Sequence, residues 1–397
     1  MPDYTYLIIG GGMTGDAALH GIREVDRNGS IGVIASESHP PYNRPPLSKA
    51  LWKGKPLDSI YRKDDEQGVT FHFGRTARKL DLETKRVTDD QGNVYFFERL
   101  LLATGSKPRR LPFGNGQIIY FRTLDDYQRL RRLAEVGRRF AVIGGGFIGS
   151  EVAAALAMNG KEVVMIFPGV AISSNIFPHD LAMSVNDYYR EKGVEVLAET
   201  TVDGLDTRKG KTVLKLRSPQ INSEREIDAD GVVAGIGVEP NIELARAAGL
   251  EVENGIRVDV SLRTSQEGIY AAGDVANFHN PVLDKWLRVE HEDNANSMGR
   301  LAGRAMAGEA VSYDHLPSFY SDLFELGYEA VGEVDSRLET VADWKTAYRE
   351  GVIYYLREDR VRGVLLWNVW DQVDAARQLI AEPGPFKAVD LKGRLPA

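Results

Sequence analysis

Two glycine-rich segments with the same spacing are the residues of this chain best suited to bind a nucleotide. Gly10-Gly11-Gly12-Met13-Thr14-Gly15 follows an apolar run over residues 6–9, and Gly144-Gly145-Gly146-Phe147-Ile148-Gly149 follows one over residues 140–143. Each pattern predicts a buried strand, a tight turn and a helix N-terminus, whose backbone N–H groups hold a dinucleotide pyrophosphate. One segment alone is a weak signal, but two, each leading into an alanine-rich helix, predict two dinucleotides that exchange electrons. The alternative is a pair of chance glycine turns in an α/β fold.

A carboxylate stands where the first predicted nucleotide would place its ribose. Glu37 follows the predicted strand over residues 31–35 and lies about 20 residues beyond the glycines, the distance at which an acid accepts hydrogen bonds from a ribose diol. We expect Glu37 to hold a ribose, although an exposed glutamate at a strand end needs no function.

The second predicted nucleotide has no such acid. The strand over residues 162–167 is followed by Pro168 and Gly169, and no acidic residue occurs from 163 to 179. An acid there would favour NADH, whereas an arginine would favour NADPH. Because residues 162–189 contain no Lys or Arg to neutralise a 2′-phosphate, the sequence favours NADH over NADPH.

Further predicted strands frame the two glycine segments. The run 100–102 leads into the turn Ala103-Thr104-Gly105, residues 232–237 contain Gly235 and Gly237, and residues 268–272 lead into Gly273-Asp274. From about residue 313 the alternation changes, with strands expected over 347–356 and 361–367 and a helix over 371–380. The prediction is an α/β fold with two Rossmann-like dinucleotide-binding domains, one inserted in the other, plus a C-terminal α+β domain. Its expected bounds are 1–116 and 241–312, 117–240, and 313–397.

Composition restricts the function. The chain has 397 residues, 43% hydrophobic and 27% charged, which is typical of a folded globular protein. Its net charge of -8, from 57 acidic and 49 basic residues, disfavours binding to nucleic acid or to an anionic membrane. No apolar run reaches transmembrane length, and the first predicted strand begins by Tyr6, so we expect a cytoplasmic protein without a signal peptide.

The chain contains no cysteine. This excludes, within the chain, a redox-active disulphide, a peroxidase thiol and a cysteine-ligated iron–sulfur cluster. Electrons exchanged between the two predicted dinucleotides must therefore pass directly to an external acceptor.

Five arginines crowd the predicted helix that precedes the second glycine segment and its exit: Arg129, Arg131, Arg132, Arg138 and Arg139. The favoured interpretation is the solvated face of an amphipathic helix. The alternative is a docking patch for an acidic electron carrier.

Over essentially its whole length the sequence resembles the pyridine-nucleotide flavoprotein reductases. Within them it is similar to the branch that holds apoptosis-inducing factor and the oxygenase-type ferredoxin or rubredoxin reductases. The segments that carry the resemblance are GGGMTG, PYNRPPLSK (41–49), ATG (103–105), GGGFIGSE, AAGDVA, RVEH (288–291) with GRLAG (299–303), and residues 319–332.

The resemblance implies FAD at the first site and NAD(P)H at the second. The implied FAD-side residues are Gly10, Gly12, Met13, Thr14, Gly15, Glu37, Arg44, Lys49, Ala103, Thr104, Gly105, Gly273, Asp274, Glu290, His291 and Tyr320. The implied NAD-side residues are Gly144, Gly146, Phe147, Ile148, Gly149, Glu151, Gly235 and Gly237. Tyr320 stands where the family usually has tryptophan, which puts in doubt how tightly NAD is retained after reduction.

The implied catalytic residues are Lys49, Glu151, Glu290 and His291. A cation near the flavin stabilises the negative charge that reduction creates, and in the family a glutamate pairs with this lysine. The plainer alternatives are a surface lysine, an acid that complements a helix dipole, and a pair that caps the next helix. No ligand spacing predicts a metal site.

The resemblance implies an FAD-dependent NAD(P)H oxidoreductase that passes electrons to an external acceptor. One alternative is a dedicated ferredoxin or rubredoxin–NAD(+) reductase of an oxygenase system, and another is an NADH-sensing interaction protein with slow turnover. The expected partners are NAD(P)H, a small iron–sulfur protein or another electron acceptor, and a second copy in a homodimer.

Overall fold

A computed structural model describes residues 3–62, 68–114, 116–218 and 221–396. Its strands, in chain order, are β1 (Asp3–Ile9), β2 (Ile31–Ala35), β3 (Val69–Phe73), β4 (Ala77–Asp81), β5 (Arg86–Asp89), β6 (Val94–Leu102), β7 (Ser106–Pro108), β8 (Ile118–Tyr120), β9 (Arg139–Ile143), β10 (Glu162–Ile166), β11 (Val194–Leu197), β12 (Thr201–Arg208), β13 (Lys211–Ser218), β14 (Ile221–Ala229), β15 (Gly231–Ala234), β16 (Val238–Pro240), β17 (Val252–Glu253), β18 (Gly255–Arg257), β19 (Ile269–Ala271), β20 (Ala276–Asn280), β21 (Lys285–Leu287), β22 (Ser318–Leu323), β23 (Leu326–Gly332), β24 (Glu339–Thr346), β25 (Glu350–Arg357) and β26 (Arg360–Trp367). Its α-helices are α1 (Met13–Val25), α2 (Leu124–Val136), α3 (Phe147–Met158), α4 (His179–Glu191), α5 (Glu243–Ala247), α6 (Glu292–Met306), α7 (Val373–Ala381) and α8 (Ala388–Leu391).

The chain divides into two compact units. The first unit consists of Met1–Arg44, Leu57–Lys107 and Glu239–Ser318, and the second of Pro45–Pro56, Pro108–Val238 and Phe319–Ala397. The first unit is interrupted by residues 108–238, which contain the second glycine segment, and resumes at Glu239. The short stretch Pro45–Pro56 belongs to the second unit although both of its neighbours in the chain lie in the first.

The first unit is built on a sheet with the order β3-β2-β1-β6-β5-β4, in which β19 also pairs with β6. Strands β1, β2, β3, β6 and β19 are parallel to one another, whereas β5 pairs antiparallel with β6 and β4 pairs antiparallel with β5. Both faces of the parallel part are buried, which explains the continuous apolar runs of β1 and β6. Helices α1 and α6 pack closely, since a Cβ on Gly303 would lie 2.0 Å from the Ala18 carbonyl oxygen.

The second unit contains a parallel sheet with the order β11-β10-β9-β15-β8. The strand order reverses at β9, where chain connections leave to both sides, and nucleotides bind at such points in open α/β sheets. An antiparallel sheet of β12, β13 and β14, which the sequence analysis did not predict, follows β11.

The C-terminal part of the second unit is a five-stranded sheet with the order β22-β23-β26-β25-β24. The predicted strands over 347–356 and 361–367 correspond to β25 and β26, which pair antiparallel, and the predicted helix over 371–380 corresponds to α7. Tyr354, Tyr355 and Trp367 are fully buried in this sheet. Within the described ranges, no helix combines the length and the apolar character needed to cross a membrane.

Candidate nucleotide sites and the Lys49–Glu151 cluster

The first glycine turn connects β1 to α1 in the first unit. A Cβ on Gly10 would lie 2.0 Å from the Ala103 carbonyl oxygen, and one on Gly15 would lie 2.0 Å from the Gly10 carbonyl oxygen, so neither position accepts a side chain. Gly12, the N-cap of α1, is different, because the nearest atom to its Cβ position is a terminal guanidinium nitrogen of Arg44 at 3.9 Å. The backbone at Gly12 therefore faces open space at the positive end of a helix, with Met13 and Thr14 in its first turn.

The second glycine turn, between β9 and α3, repeats this geometry in the second unit. Cβ atoms on Gly144 and Gly149 would lie 2.3 Å from the Gly235 and 2.0 Å from the Gly144 carbonyl oxygens. No atom lies within 4 Å of the Cβ position of Gly146, the N-cap of α3, which continues with Phe147 and Ile148. Both turns thus offer backbone N–H groups to an anion, and both fit a dinucleotide pyrophosphate.

Glu37 lies beyond the end of β2 in the first unit, as predicted. Its Oε2 accepts a hydrogen bond from the Tyr42 hydroxyl (2.6 Å), and its Oε1 accepts one from Arg44 Nη2 (2.5 Å). A carboxylate has about four acceptor sites, so Glu37 retains capacity for the hydroxyl groups of a ribose. The structure therefore places Glu37 and Arg44, two predicted FAD-side residues, in direct contact.

The other predicted residues of the first unit surround the same edge of its sheet. Gly273 has φ +75°, and a Cβ there would lie 2.2 Å from Thr14 Oγ1, so the Gly273-Asp274 turn lies directly against the start of α1. Asp274 is buried and accepts a hydrogen bond from Ser106 Oγ (3.0 Å). The Ala103-Thr104-Gly105 turn is held by Asn241, whose Nδ2 donates to the Thr104 carbonyl oxygen (2.8 Å).

Glu290 and His291 lie before α6 in the first unit. Glu290 forms an ion pair with Arg288, whose Nη1 also donates to the Asp274 carbonyl oxygen (3.1 Å). His291 is the N-cap residue of α6, but its side chain makes no capping hydrogen bond. Arg288, which the sequence analysis did not select, thus links Glu290 to the Asp274 turn.

Lys49 and Glu151 form a buried ion pair within the second unit. Lys49 Nζ lies 2.6 Å from Glu151 Oε1, and the side chains are 10% and 3% exposed. Two buried serines complete the cluster: Ser321 Oγ donates to Glu151 Oε1 (2.6 Å) and Ser48 Oγ to Glu151 Oε2 (2.5 Å). The carboxylate is therefore held by three donors that come from the 45–56 stretch and β22, while α3 carries Glu151 itself.

Aromatic residues enclose this cluster. The ring of Tyr320 lies 5.0 Å from Lys49 Nζ, and Phe147 packs edge-on against Phe319 at 5.3 Å between ring centroids. Burial, together with the charge of Glu151, raises the pKa of Tyr189 and of Tyr328 well above the ordinary value, so both phenols stay protonated. Among the contacts of the described residues, Lys49 contributes the only ammonium group that pairs with Glu151.

The 45–56 stretch is fixed to the rest of the second unit through Trp52. The Trp52 indole N–H donates to the Leu47 carbonyl oxygen (2.8 Å), and Asn159 Nδ2 donates to the Trp52 carbonyl oxygen (3.1 Å). The guanidinium of Arg131 lies 5.2 Å from the centroid of the Trp52 ring. These contacts hold Ser48 and Lys49 at α3.

The arginine-rich stretch makes contacts within the second unit. Arg131 packs on Trp52, Arg138 lies 2.7 Å from Glu162, and Arg139 lies 3.5 Å from Glu195. Leu124, Tyr127 and Leu130 are buried on the other side of α2, as the amphipathic interpretation expects. No group of three or more His, Asp or Glu side chains in the ranges that the structure describes could hold a metal ion.

Comparison with known proteins covers both glycine turns and the C-terminal sheet. The sequence model of the family described as Pyridine nucleotide-disulphide oxidoreductase matches residues 4–299, and that described as Apoptosis-inducing factor, mitochondrion-associated, C-term matches residues 302–347 and 342–382.

Individual relatives align over nearly the whole chain. Putidaredoxin reductase CamA of Pseudomonas putida is 30% identical over 392 residues, which cover 96% of this chain and 92% of the relative. The anthranilate 1,2-dioxygenase system ferredoxin–NAD(+) reductase component of Burkholderia cepacia is 32% identical over 398 residues, which cover 97% of each chain. The crystal structure of the covalent putidaredoxin reductase–putidaredoxin complex superposes with a TM-score of 0.88 at 29% identity, covering 97% of this chain and 94% of that chain.

The family match, the near-complete alignments and the two glycine turns agree on one class of protein. Neither turn accepts a side chain at its first or last glycine, and each begins a helix whose N-cap backbone is open to an anion. The chain therefore belongs to the pyridine nucleotide-disulphide oxidoreductase family and is a flavin-dependent oxidoreductase that uses a pyridine nucleotide.

Proposed function

We propose that this chain is an FAD-dependent NADH oxidoreductase that passes electrons to an external iron–sulfur protein of the ferredoxin type. The observation that carries the proposal is a pair of glycine turns with the same geometry, one in each unit, in a chain without cysteine. Two nucleotides can exchange a hydride, but no thiol of these 397 residues can take the electrons onward. The two relatives described above are named as reductases of putidaredoxin and of a ferredoxin, which supports a protein acceptor.

The chain's own residues are proposed to hold the two nucleotides. FAD, when bound, accepts a hydride from the nicotinamide and releases the electrons to the acceptor. The backbone at Gly12 and at Gly146 would bind the pyrophosphates, and Glu37 would bind the adenosine ribose of FAD. The proposed domains are 1–116 with 241–312 for FAD, 117–240 for the nicotinamide nucleotide, and 313–397 as the C-terminal domain.

Lys49 is proposed to stabilise the negative charge that reduction of the flavin creates. Its ammonium group is largely shielded from water and is oriented by Glu151, so its field is stronger there than at a solvated surface. Ser48 and Ser321 bind the two oxygens of Glu151 and keep the carboxylate in place. Glu151 and the serines therefore act as positioning residues for Lys49.

Anaerobic titration of the FAD-loaded chain with NADH tests the proposal. We expect NADH to bleach the flavin absorbance and a [2Fe–2S] ferredoxin to restore it. In stopped-flow measurements, Lys49→Met is expected to slow reduction about 100-fold. The control is Lys53→Met, because Lys53 is 47% exposed and pairs with Asp322 at 3.2 Å, so its rate should not change. A flavin that neither NADH nor NADPH bleaches would refute the proposed function.

A second candidate function is an NADH-sensing interaction protein with slow turnover. The match of residues 302–382 to the C-terminal family of apoptosis-inducing factor favours it. In that case NADH should produce a long-wavelength absorbance band that persists in air, together with an increase in molecular mass. Rapid reduction of ferredoxin without a change in mass would exclude this candidate.

A further inference from the structure

The loops that follow two neighbouring parallel strands are joined by the same backbone hydrogen bonds in the two units. These strands are β2 and β3 in the first unit and β10 and β11 in the second. In the first unit, the N–H of Gly74 donates to the Glu37 carbonyl oxygen (3.2 Å), and the N–H of Arg75 donates to that of Ala35 (2.9 Å). In the second unit, Glu199 donates to Gly169 (2.9 Å), and Thr200 donates to Phe167 (3.0 Å). The loops after β2 and β3 are therefore joined in the same way as the loops after β10 and β11.

Strand register makes these positions equivalent residue by residue. Ile34 of β2 pairs with Ile9 of β1 and with His72 of β3. Ile166 of β10 pairs in the same way with Ile143 of β9 and with Leu197 of β11. In both units the first glycine of the turn donates its N–H to this isoleucine, as Gly10 does to Ile34 and Gly144 to Ile166 (2.9 Å each).

Glu37 and Gly169 each lie three residues after these isoleucines, so they are equivalent. Gly74 and Glu199 each lie two residues after the strand partners of the isoleucines, His72 and Leu197, so they are equivalent too. The acid and the glycine have therefore exchanged places between the two units. Gly74 and Glu199 both have a positive φ, +63° and +50°, in the left-handed region that favours glycine. The second unit thus carries an exposed glutamate at a position where the backbone favours the glycine of the first unit.

We propose that Glu199 is the residue that selects NADH over NADPH. Its carboxylate would accept a hydrogen bond from the adenosine ribose and would repel a 2′-phosphate. This inference rests on the proposed nicotinamide site of the second unit. Strands β10 and β11 are parallel neighbours, so their carboxyl ends share the edge where an open α/β sheet binds its nucleotide. A ribose-binding acid usually follows the second strand of such a sheet, here β10, whereas Glu199 follows the neighbouring strand β11, about 4.8 Å away.

The surrounding charges agree with this assignment. Residues 162–189, which include the loop after β10, contain no Lys or Arg that could neutralise a 2′-phosphate. Glu199 therefore adds negative charge next to a loop that contains neither Lys nor Arg.

Binding of ADP-ribose and 2′-phospho-ADP-ribose to the full FAD-loaded chain, measured by calorimetry, tests the inference independently of turnover. Glu199→Gly places a glycine where the first unit has Gly74. Because glycine favours the left-handed backbone at this position, the variant should fold. We expect ADP-ribose to bind about tenfold more weakly and 2′-phospho-ADP-ribose more tightly than in the unsubstituted chain. The control is Glu191→Gln, because Glu191 is the last residue of α4 and precedes β11, away from the carboxyl end of the strand, so both affinities should stay unchanged.

A second variant tests the exchange itself. Gly169→Glu combined with Glu199→Gly places the acid where the first unit has it. Gly169 is not in the left-handed region, and its Cβ would meet the Ser174 hydroxyl at 3.3 Å, so a side chain needs only a small adjustment. We expect the double variant to recover the preference for ADP-ribose.

The outcomes separate the two proposals. An unchanged preference in Glu199→Gly, or tighter binding of 2′-phospho-ADP-ribose by the unsubstituted chain, would overturn the role of Glu199 and leave the oxidoreductase proposal standing. Failure of the unsubstituted chain to bind either compound would overturn both.

Discussion

Replacing Glu151 by leucine is expected to lower the free energy of unfolding of the second unit by about 4 kcal/mol, because it leaves a buried ammonium group without its anion. The magnitude follows from the burial: the Glu151 side chain is 3% exposed, and that of Lys49 is 10% exposed. The same substitution removes the carboxylate acceptor of Ser48 and Ser321. Removing both charges, in Lys49→Met with Glu151→Leu, should recover at least about 2 kcal/mol of the loss.

A double-mutant cycle measures this coupling. Trp52, Trp344, Trp367 and Trp370 lie in the second unit, so tryptophan fluorescence during urea unfolding reports mainly on that unit. The matched control is the exposed pair Lys53–Asp322 at 3.2 Å, whose coupling should stay below about 1 kcal/mol. If Glu151→Leu is as mild as Asp322→Leu, or if the two substitutions in the Lys49–Glu151 cluster are additive, the reasoning is wrong.

Three further predictions concern other groups. Gly146→Ala should fold normally, because no atom lies within 4 Å of the new methyl group, but should raise the Kd for NADH in calorimetry without loss of FAD; an unchanged Kd would exclude the turn as a phosphate site. Burial raises the pKa of Glu329, whose Oε2 has no hydrogen-bond partner in the described ranges. Its ionisation therefore costs stability as pH rises through the folded-state pKa, so Glu329→Gln should raise the Tm at pH 8 and not at pH 4. Hydrogen bonds from Lys192 and from Tyr188 lower the pKa of Glu325 to about 2. This contribution is present above the ordinary pKa of a glutamate and is lost as pH falls towards 2, so Glu325→Gln should cost at most about 1 kcal/mol at pH 7, since the side chain is 70% exposed, and almost nothing at pH 2.

The glycine turns and their strands were predictable because their causes are local. A glycine is required where a Cβ would collide with a carbonyl oxygen, as at Gly15, and the apolar runs before both turns reflect strands buried on two faces. The hydrophobic pattern that predicted β25 and β26 likewise lies within a few consecutive residues of each strand. Short-range patterns therefore located both glycine turns and the C-terminal sheet.

The cluster around Glu151 was only partly predictable. Lys49 and Glu151 were selected through the family resemblance, whereas Ser48 and Ser321 were missed because they meet Glu151 across 103 and 170 residues of chain. A serine at such a distance leaves no pattern in the sequence. The assignment of Pro45–Pro56 to the second unit depends in the same way on contacts such as Asn159 with Trp52.

Glu199 was missed for a related reason. A ribose-binding acid is expected in the loop directly after β10, whereas Glu199 follows β11 and contacts Gly169 only because the two strands pair. The contact between Gly74 and Glu37 in the first unit is equivalent to that between Glu199 and Gly169, but both contacts form only when the strands pair. The equivalence of Glu37 with Gly169 and of Gly74 with Glu199 therefore depends on the pairing of strands and not on either sequence segment alone.

The two proposed nucleotide sites have the same backbone hydrogen bonds and differ in the exposure of the acid. Glu37 is bound by Tyr42 and Arg44 from its own unit and is 24% exposed, so it is ordered before any ribose arrives. Glu199 is exposed and stands on a left-handed backbone. A carboxylate that is already largely desolvated loses little hydration on binding and would suit a nucleotide that stays bound, whereas an exposed carboxylate, which loses more water at each encounter, would suit one that is exchanged in every cycle. The exchange of acid and glycine between the units thus agrees with the proposed resident FAD and transient NADH, and this difference would depend on two pairs of residues rather than on the fold.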